Sequence, residues 1–231
     1  MQVIYEDNHL IAINKKPGDL VHADETGDKT LEEEVKAYVK VRYGKPGEVW
    51  LGVLHRLDRP ASGVTIFART SKAAERMSKM FQEKLIGKTY YALTDQRPEP
   101  FSGTWKHYLV KDEMTNKVKA KATDSKGAKL AITHYELTGD INGYAIVKLD
   151  LVTGRPHQAR CQMSKMGCTI VGDLKYGSKI ALPDKSIALH CRQMSFVHPV
   201  TKENVVIKAD FPETRLWRPF AELVEELEIN D

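Results

Sequence analysis

Cysteine is scarce in this chain: three in 231 residues, Cys161, Cys168 and Cys191. The number is odd and no two form a CxxC pair, so neither a disulfide framework nor a cysteine zinc site fits. Buried, inert thiols are the expectation. The eight histidines are scattered, without an HxxxH pair on an evident helix, so a metal-free site is the default. No run approaches the roughly 18 apolar residues of a membrane span. Residues 1–7 lack the basic and then apolar regions of a signal peptide. These absences lead to the expectation of a cytoplasmic chain with no membrane partner. The GxGxxG of a dinucleotide-binding fold is missing, and so is its βαβ rhythm. With no linker-like, low-complexity or repeated segment, one domain over residues 1–231 is expected. Charge is only mildly one-sided, at +4 with a pI near 8.8. That bias permits nucleic-acid binding without requiring it.

What is present begins with two short apolar runs, Val3-Ile4-Tyr5 and Leu10-Ile11-Ala12-Ile13-Asn14, parted by Asp7-Asn8. They read as a hairpin, and Lys16-Pro17-Gly18 then forces a turn. Thr30 suits a helix cap, with the helix running to about Tyr43 and placing Leu31, Val35 and Tyr38-Val39 on one face. A second helix fits Ser71 to Lys84. Its apolar stripe is Ala74, Met77, Phe81 and Leu85, opposite a face carrying Lys72, Arg76, Lys79 and Lys84. Strands are expected at 88–94, as weaker edge strands or a long hairpin over 101–122, and at 130–137 and 144–152, which should pair. Residues 156–165 look helical. Short strands follow at 187–191, 194–197 and 205–209, then an amphipathic helix near 214–228. Strands outnumber helices, so the expected class is α+β, a mixed and largely antiparallel sheet with flanking helices.

Two blocks carry chemistry. The stretch His55-Arg56-Leu57-Asp58-Arg59-Pro60-Ala61-Ser62-Gly63 places one carboxylate between two arginines, just before the apolar run 64–68. An acid at a turn feeding a buried strand should be held rigidly. Two adjacent guanidiniums would keep it ionised, below the ordinary value of about 3.9. Such a carboxylate can act as a nucleophile. Arg56 and Arg59 suit a phosphate-rich substrate, because their planar forks match phosphate geometry. The second block, Thr153-Gly154-Arg155-Pro156-His157-Gln158-Ala159-Arg160, opens a helix with Pro at an early position. Arg155 and Arg160 are five apart and do not share a helix face. Asp173 and Tyr176, in a turn-rich loop, read as structural. The lysines from 106 to 129 could reach RNA as a basic arm.

Together these blocks resemble the RluA-type RNA pseudouridine synthases. HRLDRPASG is similar to that family's HRLD signature, TGRPHQAR to its TGR-x-HQ-x-R block, GDLKYG to its GD-x-x-YG turn and FVHPVT to its F-x-HP-x-T segment. Lys88-Thr89-Tyr90-Tyr91-Ala92 is similar to its K-x-Y-x-A strand, and YEDNHLIAINKKPG to its first hairpin. The resemblance implies the pseudouridine synthase fold and the isomerisation of uridines in structured RNA, tRNA or rRNA. It makes Asp58 the catalytic carboxylate. Arg160 would pair with Asp58 and orient it, with Arg155 the second choice. Tyr90 would stack on the flipped base. Arg56 would fill the space left by the extruded uridine or contact a flanking phosphate. Arg59, Arg155, His157 and Gln158 are the further substrate-binding candidates. Ala159, Gln162, Thr169 and Ala61 depart from the commoner family pattern without touching the acid–arginine set.

The resemblance implies no cofactor and no metal. The family's optional N-terminal S4-type RNA-binding domain is not expected, and a monomer with no obligate protein partner is. Whether Asp58 attacks the sugar or helps to deprotonate it stays open at this level. A glycoside hydrolase would need a second placed carboxylate, which is not evident. A non-catalytic RNA-binding module would not need the Asp58, Arg160 and Tyr90 set.

Overall fold

The computed structural model describes residues 1–112, 115 and 117–230. The chain forms two compact units, Met1–Ile86 with Arg192–Asp210, and Gly87–Cys191 with Phe211–Asp231.

The first unit opens with the expected hairpin, β1 (Gln2–Glu6) and β2 (Leu10–Lys15). Asp7 closes it by accepting the His9 and Leu10 amides on one carboxylate oxygen, each at 2.7 Å. Helix α1 (Leu31–Arg42) starts in a full capping box between Thr30 and Glu33, and buries Leu31, Val35 and Val39; the box satisfies amides that the first turn leaves unpaired. A two-residue strand, β3 (Gly52–Val53), pairs with β4 (Ser62–Ala68). β4 also pairs with β2, Lys15 opposite Gly63 and Leu10 opposite Ala68. All seven β4 residues are buried, Ser62 and Thr65 among them, which accounts for apolar residues on both faces of the strand.

Helix α2 (Ser71–Gln82) is capped by Thr70 and buries Ala73 and Met77. It is shorter than its apolar stripe suggests. Lys84 takes a left-handed turn at φ 60°, so Leu85 leaves the helix and stands exposed while Ile86 is buried.

The second unit is built on an antiparallel run. β5 (Gly87–Thr94) pairs with β9 (Tyr144–Leu151), β9 with β8 (Lys129–Ile141), β8 with β6 (Ser102–Asp112), and β6 with β7 (Lys117–Lys121). One face of β6, β7 and β8 presents Leu109, Val118 and Ala131. These form an apolar cluster with Cys161 of α3 (Gln158–Lys165) and Tyr176, which ends a single 3₁₀ turn (Leu174–Tyr176). Helix α4 (Arg218–Asn230) begins four residues later than its pattern implied and buries Phe220 and Val224. Just before it, Trp217 stacks on Phe211 at 5.3 Å.

The two strands expected at 187–191 and 194–197 are one continuous strand, β10 (Leu189–Val197). From Arg192 onward it belongs to the first unit, where it pairs with β11 (Asn204–Lys208). There the FVHPVT segment meets the opening hairpin. His198 Nε2 lies 2.9 Å from Asp7 Oδ2, off the line of a well-formed hydrogen bond. Its Nδ1 accepts the Val200 and Thr201 amides. Burial raises the Asp7 pKa, but the Tyr5 hydroxyl and the two hairpin amides outweigh it and hold the carboxyl below the ordinary range. The first and last sequence blocks thus explain each other as one structural joint. All three cysteines are free and buried.

Candidate active site

The Asp58 turn leads into β4. Asp58 is half-buried, and its carbonyl accepts the Ala61 amide at 2.9 Å. The turn is held from beneath by Lys15, the last residue of β2. Lys15 has no exposed surface, and its Nζ donates to the carbonyls of Lys16 (2.9 Å), Arg59 (3.0 Å) and Ala61 (2.7 Å). An ammonium has three hydrogens, and all three are used. Burial pulls this lysine down to about 8, while the nearby Asp19 and Asp58 charges push it up. Lys15 is thus both a mechanical clamp on the turn and a buried positive charge within electrostatic reach of Asp58. No function was assigned to it from sequence. Ile11, Ile13 and Lys15 alternate onto one face of β2, and all three are buried.

The other members of the block divide by role. His55 Nε2 accepts the Ile66 amide of β4 at 3.0 Å, and its ring lies 5.2 Å from that of Phe81. Arg59 turns to the loop ahead of α1, donating Nε to the Gly18 carbonyl at 3.1 Å and meeting Asp28 at 2.5 Å. It ties the turn to that loop. Arg56 is exposed, as a side chain meant for a phosphate would be.

The TGRPHQAR block folds around Gln158, which is 2% exposed. Its Oε1 accepts from the Thr153 hydroxyl (2.7 Å) and the Arg155 amide (3.1 Å). Its Nε2 donates to the Ile132 carbonyl (3.1 Å) and the Thr133 hydroxyl (2.9 Å). Those four bonds use the full capacity of a glutamine amide, so Gln158 frames the turn. Arg155 donates Nε to the Leu130 carbonyl at 3.1 Å.

His157 stands at the N-cap of α3 in a left-handed conformation, φ 51° and ψ 25°, which is uncommon for a non-glycine residue and costs free energy. Its Nδ1 is 2.7 Å from the Tyr176 hydroxyl. That hydroxyl accepts the Val118 amide at 2.9 Å, and burial pushes its pKa to about 12. The His157–Tyr176 contact joins the N-cap of α3 to the 3₁₀ turn, with donor and acceptor set by the His157 tautomer.

Arg160, on α3, is held by Asp173. Nε meets Oδ2 at 2.7 Å and Nη2 meets Oδ1 at 2.9 Å, a bidentate pair in which the side chains are 6% and 1% exposed. The Tyr176 ring lies 5.1 Å from the guanidinium carbon. Asp173, expected to be a turn residue, is also the anchor that fixes this arginine. Tyr90, on β5, is buried at 8% exposure. Lys88 shares its strand face, two residues away. Burial lowers the Lys88 pKa, and Arg155 lowers it further against the opposing effect of Cys191. Gly154 leaves room for this ammonium, since a Cβ there would stand 3.3 Å from Nζ. Among the described residues no three His, Cys, Asp or Glu side chains gather so as to hold a metal ion.

A family model described as RNA pseudouridylate synthase matches residues 9–165. The chain belongs to the RNA pseudouridine synthase family. It is 30% identical over 223 residues to ribosomal large subunit pseudouridine synthase D of Zymomonas mobilis, covering 92% of this chain and 70% of that one. Synthase C of Rickettsia prowazekii, also named for the ribosomal large subunit, is 34% identical over 212 residues, with 91% and 68% covered. The tRNA pseudouridine synthase C of Vibrio parahaemolyticus is 30% identical over 232 residues, with 93% and 92% covered. The fold is that of the solved human RNA pseudouridylate synthase domain containing 4, with a TM-score of 0.79, 24% identity and 97% and 93% of the two chains covered. The RluA-type assignment and the α+β class both hold. As a pseudouridine synthase this protein is an isomerase.

Proposed function

We propose that this synthase converts particular uridines in structured tRNA or rRNA to pseudouridine, with Asp58 as its catalytic carboxylate and the target nucleotide flipped out of its stack. The observation that carries the reading is the Asp58 turn, a half-buried acid on a backbone that a buried ammonium fixes through the Arg59 and Ala61 carbonyls. A pre-set carboxylate lowers the reorganisation needed when charge shifts at the sugar. The reaction breaks N1–C1′, turns the detached uracil, joins C5 to C1′ and removes the C5 proton, with N1 finishing protonated so that the product is an isomer. Asp58 either attacks C1′, its bond to C1′ then breaking as C5 joins, or helps to deprotonate the sugar. Tyr90, or a water near Asp58, takes the C5 proton.

Flipping costs a few kcal/mol, and exposed Arg56 is suited to offset part of it by occupying the gap or holding a flanking phosphate. Arg160 is the proposed orienting cation for Asp58, with Asp173 as its own support. Arg59, Arg155, His157 and Gln158 shape the two motif turns, with Arg155 and His157 the better placed for RNA. The enzyme is proposed to work as a cytoplasmic monomer; no helix among the described residues is long and apolar enough to cross a membrane.

The test is release of the C5 hydrogen from uridine in unmodified transcripts. Asp58→Asn and Asp58→Ala should lose at least about 10³-fold in rate, in the range seen when an activated nucleophile is removed, and should still bind RNA. Isomerisation by Asp58→Ala at the normal rate would overturn the assignment.

A further inference from the structure

The β6–β7–β8 run has two unlike faces. On the inner face Trp105, Leu109, Val118, Ala131 and Tyr135 are buried. In an antiparallel pair, residues directly opposite each other point to the same side. The registers Tyr108↔Lys121, Val110↔Lys119 and Lys106↔Ile132 therefore collect Lys106, Lys117, Lys119 and Lys121 on the outer face, around Tyr108. All four lysines are exposed and Tyr108 is half-exposed. Among the described residues, β6 and β7 give this face one acid, Asp112, 3.4 Å from Lys119.

We propose that this outer face is a docking surface for the backbone of the RNA, outside the residues that meet the reacting uridine. The proposal rests on the family's substrate being RNA and extends it to a second place on the molecule. Charge complementarity is its basis. Lysines two apart on a strand stand about 7 Å from each other, comparable to the step between neighbouring backbone phosphates. Lysine binds phosphate as a point charge, so the face would grip RNA without reading sequence. Tyr108, between Lys106 and Lys121, offers a ring for an unpaired base.

Lysines on the outermost strand of a sheet can also serve only to block edge-to-edge pairing, and the experiment separates the two roles. Binding of an unmodified tRNA transcript is measured against salt for the wild type, for Lys117→Gln/Lys119→Gln/Lys121→Gln, and for the same three positions changed to Arg. Each single-strand phosphate contact contributes about −0.7 to the log–log slope, so three contacts contribute about −2. The Gln variant should lose that much slope and at least tenfold in affinity near 0.1 M salt, with the deficit in turnover falling on KM. The Arg variant, which keeps the charges, should bind like the wild type. Unchanged slope and affinity in the Gln variant, or loss in the Arg variant at unchanged melting temperature, overturns the proposal. A wild type that binds the transcript but releases no C5 hydrogen would instead count against the proposed catalytic function and leave the docking surface standing.

Discussion

Asp173→Asn should destabilise the protein far more than an ordinary loop substitution. The carboxylate is almost fully buried and accepts two hydrogen bonds from Arg160, itself buried. An asparagine of the same shape supplies one oxygen and turns an N–H toward the guanidinium, so the buried cation loses the carboxylate that meets it through two hydrogen bonds. Breaking a buried pair from one side costs about 3–5 kcal/mol. Net stabilities are about 5–15 kcal/mol, so this is a large part of the whole. For a chain of this size about 1 kcal/mol moves the melting temperature by about 2–4 °C, giving a fall of about 6–20 °C.

The assay is urea denaturation of the wild type, Asp173→Asn, Arg160→Gln and the double variant. Once both partners are gone no unpaired charge remains, so the double variant should be less destabilised than the sum of the singles, by about 1–3 kcal/mol. Singles within about 1 kcal/mol of the wild type, or strictly additive effects, would refute the idea that this pair fixes Arg160.

Lys15 titrates at about 8 in the native protein against an ordinary 10.5. From pH 8 upward the unfolded chain still holds the proton that the native state releases, so this lysine contributes stability that grows as pH rises. The stability difference between wild type and Lys15→Met should therefore widen from pH 8 to 10, by up to about 3 kcal/mol; a flat difference would sink the assignment. The difference is the readout because burial raises Cys161 to about 11 and Cys168 to about 12, which removes stability over the same pH range. For the same reason the folded protein should give no thiol titre with a disulfide reagent at pH 8, and three equivalents once unfolded. Gly172→Ala should cost about 2–5 kcal/mol, measured by chemical denaturation. Gly172 sits at φ 87°, and a Cβ there would press on the Ser186 carbonyl and the Leu182 side chain. Near-wild-type stability would mean that the loop can move aside.

The features that sequence revealed well are the local ones. The opening hairpin, α1 and α2 announced themselves through period, and α1 through its cap as well, because Thr30 acts on an amide three residues away. The end of α2 shifted where a single backbone angle intervenes, at Lys84. Non-local pairing was hidden. Nothing in the spacing of Arg160 and Asp173 tells that the intervening loop brings them together. Lys15 hid for another reason: Lys15-Lys16-Pro17-Gly18 resembles an exposed turn, and the strand period that buries its first lysine competes with that signal. Gln158 is a substrate-binding candidate through the likeness of TGRPHQAR to the family's block, and its four bonds within the protein show a framing role that the motif alone does not reveal. In the motifs, residue identity spoke to chemistry, and the partner network that positions each residue appeared only with the fold.

The makeup of the first unit bears on how the protein is born. Its Asp58 turn is complete in sequence by residue 63, yet the unit also draws on Arg192–Asp210, with the Arg76 guanidinium donating to the Pro199 carbonyl and the Asn14 amide to the Asp210 carbonyl. Roughly a hundred residues must leave the ribosome before those partners arrive. Folding strictly from the N-terminus, the usual order during translation, cannot finish this half first, so a nascent chain halted before residue 192 would carry the whole HRLD motif on an unfinished scaffold.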